Sequence, residues 1–392
     1  MSRSRTLVCL ASLALAMAFV SPGVAAARQA SPPAPVVGGP MVRVSPGPGQ
    51  LRALVTGATQ FSGNWSGYAA FAGDIDSPDD GTVSDVKGTW VVPTATGGVF
   101  DAFCSDWVGI DGFASGSVEQ LGTVAEWYEG TASYYAWWEM FPAGETKIDT
   151  SEMNVHPGDT ISAEVQSLGG NTFHLSMTDV PADHSATQTF DTTQTVAPQD
   201  VTTAQRNSAE WVHEAPGGEI GPLPLAKTTP VDFTNCYATI NGTTGPIESA
   251  SWTNVPIDLV SMTTVPVNLA TPSVLTGDGT GFTVDYTSGK YPGLIDIFAS
   301  PTSVKRPKPF VLDGLMFPGA LHDPCVVYVK KPGSGRWSYS SNRLAFDALD
   351  GYSVWWYRYT PKLKGTYQFY VKFAGDVDRF AATSKTIKVV VK

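Results

Sequence analysis

Asn207-Ser208-Ala209-Glu210-Trp211-Val212-His213-Glu214 is predicted to form a short β-strand that carries two carboxylates on one face. Side chains alternate along a strand, so Glu210 and Glu214 point to the same side of the sheet. Trp211 and His213 point to the other side. Two explanations stay open from this stretch alone: a solvated sheet face, or a strand that brings carboxylates to a functional site.

Further strand signals occur at short, regular spacing on both sides of this stretch, and no segment of useful length has a helical period. They are separated by turn signals such as Pro157-Gly158-Asp159 and Gly169-Gly170-Asn171. Residues 58–299 are therefore predicted to form an all-β antiparallel sandwich. Residues 300–392 contain about seven more short strands, which predict a smaller β-sandwich of immunoglobulin-like type.

The first 27 residues are predicted to be a secretory signal peptide. Arg3 and Arg5 form its positive end, Leu7–Val20 its apolar region and Val24–Ala27 a small-residue cleavage site. No later segment approaches the length of apolar chain that a membrane span needs. We therefore expect a secreted, extracellular protein with no membrane partner. The next segment, residues 28–57, is rich in Pro, Gly and Ala and is either a pro-segment or a plain leader.

Charge is distributed unevenly along the 392 residues, whose net charge is −11. Residues 1–73 contain five arginines and no acid, so the remainder, residues 74–392, carries −16. An acidic body disfavours nucleic acid as a partner. Three of the arginines lie in residues 28–57, where they could hold a pro-segment on the acidic body. We expect a monomer.

Four cysteines are present, and Cys9 lies within the predicted signal peptide. The remaining three allow at most one intramolecular disulfide. We expect a Cys104–Cys236 disulfide, because both residues lie in the first large domain and the compartment is oxidising. The cysteine spacing fits no zinc pattern, and the five histidines are scattered without ligand spacing. Each histidine is expected at the surface or in a turn, and we expect no metal and no cofactor.

Motifs of several hydrolase classes are absent, among them His-Glu-x-x-His and Gly-x-Ser-x-Gly. Carboxylates, amides and aromatic side chains remain as candidates. Gln120 stands among apolar residues, and a buried amide is either structural or a donor to a ligand. On a later strand Trp137 and Glu139 share one face, which is either core or the lining of a groove.

Seven blocks of sequence, taken in their order, resemble the glutamic peptidases, the eqolisin family or peptidase family G1. The resemblance runs from about Gly63 to Tyr286. No single block is decisive, but the ordered series is specific. The blocks are Asn64–Tyr68, Gly88–Pro93, Trp107–Gly112, Gln120–Gly122, Trp137–Pro142, Pro157–Ile161 and Ser208–Glu214. Outside them, Gly365–Phe373 resembles a strand of bacterial extracellular immunoglobulin-like repeats, which suggests a bacterial member with an added domain.

The resemblance implies a concanavalin-like sandwich of two bent antiparallel sheets with a Gln–Glu dyad on its concave face. The family's Gln corresponds to Gln120 and its Glu to Glu210. Substrate-binding positions implied for the cleft are Trp107, Asp111, Trp137 and Glu139. In this interpretation Glu210 activates water as general base and returns the proton as general acid, while the Gln120 amide stabilises the oxyanion.

The implied activity is secreted, acid-acting endopeptidase cleavage of proteins or peptides. A second hypothesis is a lectin-like or glycan-degrading sandwich, in which Glu210 and Glu139 act as a carboxylate pair. A third is a cell-surface adhesion protein without enzymatic activity. The residues alone leave all three open, and the resemblance favours the first.

Overall fold

The computed structural model describes residues 39–44, 59–196, 203–218, 221–262, 266–287, 289–320, 322–349 and 351–392. The predicted signal peptide and most of residues 28–57 lie outside these ranges. All regular elements in the described part are β-strands, as the composition predicts. No helix there is long and apolar enough to cross a membrane.

The first sandwich contains the strands up to residue 286. They are β1 (Gln60–Ser62), β2 (Trp65–Phe71), β3 (Gly73–Asp74), β4 (Ser77–Pro78), β5 (Val83–Val91), β6 (Ala95–Thr96), β7 (Ala102–Ile110), β8 (Val118–Tyr128), β9 (Thr131–Phe141), β10 (Thr146–Lys147), β11 (Thr160–Gly169), β12 (Thr172–Val180), β13 (Gln188–Thr195), β14 (Ala209–Glu214), β15 (Gly217–Gly218), β16 (Gly221–Pro222), β17 (Lys227–Thr228), β18 (Val231–Ile240), β19 (Thr243–Pro246), β20 (Thr253–Val260), β21 (Asn268–Pro272) and β22 (Phe282–Tyr286).

Sixteen of these strands form one sheet that folds back on itself, with the order β10-β9-β8-β7-β14-β2-β20-β21-β22-β18-β5-β11-β12-β13, to which β1 and β19 are added at β20 and β18. The other six form the two-stranded sheets β3-β4, β15-β16 and β17-β6. Neighbours in this path are antiparallel, as predicted, and the short β1 joins β20 in parallel. Strands β5, β11, β12 and β18 pack face to face on β7, β8 and β14. The two layers of the sandwich are therefore hydrogen-bonded to each other through β20–β22.

Alternation along the strands builds two apolar clusters on opposite faces of the first layer. Trp211 lies in the core between the layers, and its indole N–H donates to the Lys87 carbonyl of the second layer at 2.8 Å. Val212, the next residue, lies on the other face. We call this second face the Glu210 face; its cluster includes Trp65, Phe71, Trp107, Phe113, Trp137 and Val212.

A second β-sandwich follows, built from two sheets that enclose their own apolar core. Its strands are β23 (Leu294–Ile295), β24 (Phe298–Ser300), β25 (Ser303–Val304), β26 (Phe310–Phe317), β27 (Pro324–Lys330), β28 (Ser338–Leu344), β29 (Phe346–Leu349), β30 (Tyr352–Tyr359), β31 (Gly365–Phe373), β32 (Ala382–Thr383) and β33 (Ile387–Val391). Residues 294–300 are hydrogen-bonded into this sheet, because β23 and β24 pair with β26.

Polar contacts join the two sandwiches along one side. The Lys227 ammonium lies 2.7 Å from the Asp378 carboxylate, which also accepts the Val99 backbone amide at 3.1 Å. The buried Arg379 guanidinium lies 5.7 Å from the centre of the Phe100 ring. A partly buried ion pair and a cation–π contact therefore link the two sandwiches.

The expected Cys104–Cys236 disulfide is wrong for this structure, in which both residues are buried free thiols. The Cys236 thiol donates to the Thr234 carbonyl at 3.5 Å, within its own strand. The Cys104 thiol instead lies beside Asp106 and His213. The number of cysteines shows which disulfides are possible, but it does not show where each side chain points. A buried cysteine can also remain a free thiol, which packs as a small apolar group.

Candidate active site

Strand β14 places Glu210 in the middle of the first layer. β14 lies between β7 and β2, and Glu210 pairs with Gly109 on one side and Ala69 on the other. Its carboxyl is buried. The predicted alternation is confirmed, since Trp211 packs between the layers and Val212 on the Glu210 face.

Gln120 and Glu210 lie in one row across three neighbouring strands. Gly109 pairs with Gln120 of β8 on one side and with Glu210 of β14 on the other. Adjacent strands are about 4.8 Å apart, so the two outer Cα atoms are about 10 Å apart. A Cβ at Gly109 would lie 2.8 Å from the Trp107 ring and 3.1 Å from the Gln120 Cβ. Glycine at this position therefore leaves room for the Trp107 ring, which packs over Gly109 in this row.

Glu139 orients the Gln120 side chain. The two residues pair directly between β8 and β9, and the Gln120 amide Nε2 donates to Glu139 Oε2 at 3.0 Å. Burial, together with the nearby Glu214 and Glu145 charges, raises the pKa of Glu139 from 4.5 to about 10. Glu139 therefore remains protonated through the acidic range. Since an amide has two N–H groups, Gln120 can bind this neighbour and still donate to a ligand.

Burial also raises the pKa of Glu210 well above its ordinary value. The Ser208 hydroxyl and the Phe113 backbone amide favour the ionised form, while the Asp111 charge opposes it. Within the described ranges, neither carboxyl oxygen has a protein partner at full hydrogen-bonding geometry. A buried carboxyl oxygen without such a partner is suited to binding a water molecule.

Glu214, the second carboxylate of the strand, is held by neighbouring side chains. It accepts the Trp107 indole N–H at 2.8 Å and the Asn64 amide at 3.1 Å. Trp107 packs edge-on against Trp65, with the ring centres 5.0 Å apart. Trp107, expected to bind substrate, therefore lies on the Glu210 face as expected, but its N–H is used within the protein.

Trp137 pairs with Gly122 on β8, two residues from Gln120. Its ring lies in the cluster of the Glu210 face, and its buried indole N–H has no partner in the part of the chain that the structure describes. The same holds for the indole N–H of Trp65, a residue to which we assigned no role from the sequence. The Trp137 indole N–H is therefore, within the described residues, an unused buried donor on the Glu210 face.

Asp111, for which we expected a role in substrate binding, is buried and bonded to the backbone. It has a φ of 74° at the end of β7, and its carboxyl oxygens accept the backbone amides of Arg206 at 2.7 Å and Asn207 at 2.9 Å. These contacts fix the chain just before β14. Asp111 therefore acts on Glu210 through the backbone, and sequence proximity to the Trp107 block did not reveal this.

His213 was expected at the surface or in a turn, and this expectation is wrong. The residue is buried, and its Nδ1 lies 2.7 Å from Asp106 Oδ1. With Cys104 these residues form a group whose possible metal-ligand atoms lie within 4.8 Å of one another. The group lies on the opposite side of β14 from Glu210, so it takes no part in the Gln120–Glu210 row.

Residues 39–44, the described part of the predicted pro-segment, lie against the Glu210 face. The Met41 amide donates to the Gly112 carbonyl at 3.1 Å, and the Val42 amide donates to Asn64 Oδ1 at 2.8 Å. The Met41 side chain is buried in the cluster that contains Phe113 and Val212. This segment helps to close the face from solvent.

Two further contacts hold the same segment. Asn64 Nδ2, which donates to Glu214, also donates to the Pro40 carbonyl at 3.3 Å. The Arg43 guanidinium donates to the Phe113 carbonyl at 3.2 Å and lies 4.5 Å from the centre of its ring. These contacts hold the segment on the loop between β7 and β8 and connect it, through Asn64, to the Glu214 carboxylate.

Comparison with known proteins gives one family match. A family model described as the Peptidase A4 family matches residues 63–280. Scytalidopepsin B of Scytalidium lignicola is 27% identical over 199 residues, which are 49% of this chain and 69% of that protein. Aspergillopepsin-2 of Aspergillus niger is 27% identical over 210 residues, with 48% and 69% covered. A solved structure of scytalido-glutamic peptidase with a transition state analog inhibitor aligns with a TM-score of 0.46 at 22% identity, covering 57% of this chain and 98% of that one.

Proposed function

This chain belongs to the Peptidase A4 family, and from that premise we propose that it is a glutamic-type endopeptidase in which Glu210 and Gln120 form the catalytic pair. The observation that carries the assignment of the pair is the row Gln120–Gly109–Glu210, in which the two side chains share one face of the sheet. The family match removes the support for a glycan-degrading pair of Glu210 and Glu139. The first test is cleavage of a denatured protein by the chain without residues 1–57, beside the same chain with Glu210→Gln.

The row supports attack by water on a peptide carbonyl bound at the Glu210 face, beside Gln120 and Glu210. Ionised Glu210 removes a proton from the water as general base and then returns it to the leaving amine. Negative charge develops on the carbonyl oxygen, towards which the second N–H of Gln120 can donate. Glu139 holds the Gln120 amide in place and, being protonated, adds no negative charge beside the oxyanion. Both catalytic groups are side chains of this protein.

Burial of the Glu210 carboxyl accounts for its protonated state. Its pKa is raised mainly by burial, and the segment around Met41 packs on the same face. When that segment leaves, water enters, the cost of ionisation falls and the pKa moves back towards its ordinary value. We therefore propose that residues 28–57 are a pro-segment that keeps the base neutral and the cleft filled.

A chain that starts near residue 28 is expected to be less active than one that starts near residue 58, as measured by initial rates on the same peptide. Met41→Asp in the longer chain should raise its rate, because a carboxylate is costly to bury in the cluster of the Glu210 face. The shorter chain lacks Met41, so its rate serves as the reference for a chain without the segment. Equal rates for the long and short chains, with residues 28–57 shown intact, would contradict the proposal.

Activity is expected to follow a bell-shaped pH profile on the acid side of neutrality. Its acid limb reflects ionisation of Glu210. Its alkaline limb reflects the loss of folding stability that begins above about pH 4.5, because the fold holds the Glu139 carboxyl neutral with a pKa of about 10. Glu139→Gln keeps the bond to Gln120 but cannot ionise, so it should move the alkaline limb upwards. Glu152→Gln, an exposed substitution of the same kind, is the control. A rate that stays flat up to neutral pH would contradict this account.

Folding stability should fall over the same range. The Glu139 pKa is raised from 4.5 to about 10, so the stability that this buried carboxyl supplies is complete below about pH 4.5 and is lost as the pH rises. The loss is on the order of 1.4 kcal/mol per pH unit for one such group. The pKa values of Glu119 and Glu210 are raised in the same direction. Thermal unfolding followed at about pH 4 and about pH 7 measures the difference.

We also propose that the protein is secreted and acts as a monomer, with residues 58–293 as the peptidase domain. The second sandwich is proposed to be an immunoglobulin-like domain. Its two face-to-face sheets and enclosed core support that class. None of the candidate catalytic side chains lies in it.

A further inference from the structure

The acidic charge of the protein is confined to the peptidase sandwich. Residues 300–392 contain 15 Lys and Arg against six Asp and no Glu, which gives +9. Residues 74–299 contain five Lys and Arg against 30 Asp and Glu, which gives −25. Asp323 and Asp376 pair with Arg379, and Asp378 pairs with Lys227. Half of the few acids of the second sandwich are therefore already held in ion pairs.

A groove of about 620 Å³ opens in this basic sandwich, between β28 and the end of β30. Tyr339, Tyr357 and Tyr359 line it, together with the hydroxyls of Ser340 and Thr360. Tyr339 is 61% exposed, so a large aromatic side chain stands in solvent at this groove. Aromatic faces and hydroxyls thus line the same concave surface.

Three exposed cations lie in the same groove, namely Lys331, Arg358 and Lys362. None of them forms an ion pair with any carboxylate described in the structure. No acidic residue with a described side chain lines the groove. Cations without carboxylate partners, placed beside aromatic rings, form a surface that attracts an anion and offers ring faces for stacking.

We propose that this groove binds a linear anionic polysaccharide and thereby holds the peptidase on an acidic extracellular polymer. Sugar rings stack on tyrosine faces, their hydroxyls bond to the tyrosine, serine and threonine hydroxyls, and their acid groups pair with Lys331, Arg358 and Lys362. The concave shape suits a chain better than the flat surface of a membrane. A lining rich in hydroxyls and without Trp or Phe favours sugar over stacked nucleic acid bases.

The full-length protein is tested against four probes by titration at low salt: polygalacturonate oligomers, neutral dextran, single-stranded oligo-dT and vesicles of anionic lipid. Polygalacturonate is expected to bind most tightly, and its affinity should fall as salt is raised. Arg358→Ala with Lys362→Ala should weaken binding roughly tenfold or more, and Tyr339→Ala by a similar factor. Turnover of a small soluble peptide should stay unchanged in these variants. A failure of this proposal can therefore be distinguished from a failure of the catalytic assignment.

The matched control is Lys305→Ala with Lys308→Ala, which removes the same charge from exposed positions that do not line the groove. It should change the affinity less than twofold. An equal loss of affinity in both double variants would show that binding depends on net charge alone, and would overturn the proposal. Tighter binding of oligo-dT, of lipid or of neutral dextran would also overturn it. Unchanged thermal unfolding of each variant shows that the loss is not one of folding.

Discussion

Replacing Glu210 by Gln is expected to lower the turnover of a denatured protein substrate by roughly a hundred- to ten-thousand-fold, the range for loss of a general base. The amide has the shape of the carboxyl but cannot accept the proton of the attacking water. The fold should persist, because Glu210 is buried with a raised pKa and a neutral group already suits its site. The measurement is kcat and KM at the pH optimum, on protein that has lost residues 1–57.

The control for this substitution is Glu126→Gln. Glu126 is a nearly buried carboxyl on β8, on the same face as Gln120 but six residues along the strand, about 20 Å away. It contacts the Ser133 hydroxyl at 3.0 Å rather than the catalytic row. Its substitution should leave turnover within a few-fold of the original. A folded Glu210→Gln protein with near-normal turnover would disprove the role of Glu210.

Gln120→Ala is expected to lower kcat by about a hundred- to a thousand-fold with little change in KM, because an oxyanion donor acts mainly in the transition state. The substitution also removes the partner of Glu139. Glu139→Gln, which keeps a bond to Gln120, separates the two effects. Gln368→Ala in the second sandwich is the control for loss of an amide. Normal turnover in folded Gln120→Ala protein would remove Gln120 from the mechanism.

Inhibitor classes give an independent check on the pair. A mechanism that uses one carboxyl and one amide is expected to be insensitive to metal chelators and to reagents that modify serine. Strong inhibition by either would contradict it. The Cys104–Asp106–His213 group makes the chelator experiment informative, since this group is the place where the described chain could hold a metal.

Local sequence was sufficient for some parts of the site. The opposite orientations of Glu210 and Trp211 follow from strand alternation, and the structure has them as predicted. Gln120 and Glu210 were both predicted from the ordered blocks of the resemblance, and they lie in one row of the sheet. The excess of cations after residue 300 was also present in the sequence, but a single sum over residues 74–392 concealed it.

Other parts depended on contacts between distant segments. Cys104 was expected to bond to Cys236, but its thiol lies beside His213 on a neighbouring strand. His213 was expected in solvent, yet it pairs with the buried Asp106. Asp111 was expected to face the substrate, but it binds the backbone before β14. In each case the partner is set by strand pairing, which the local pattern does not encode.

By itself, the sequence determined that the protein is all-β, which strands it contains and which side chains share a face, because side-chain alternation and turn chemistry are local properties of the chain. Only the tertiary structure decided that Gly109 lies between Gln120 and Glu210, and that Met41 covers the Glu210 face. The physical reason is register. Hydrogen bonds between strands far apart in the chain set which residues stand opposite each other, and a shift of one residue would turn the catalytic side chains to the other face.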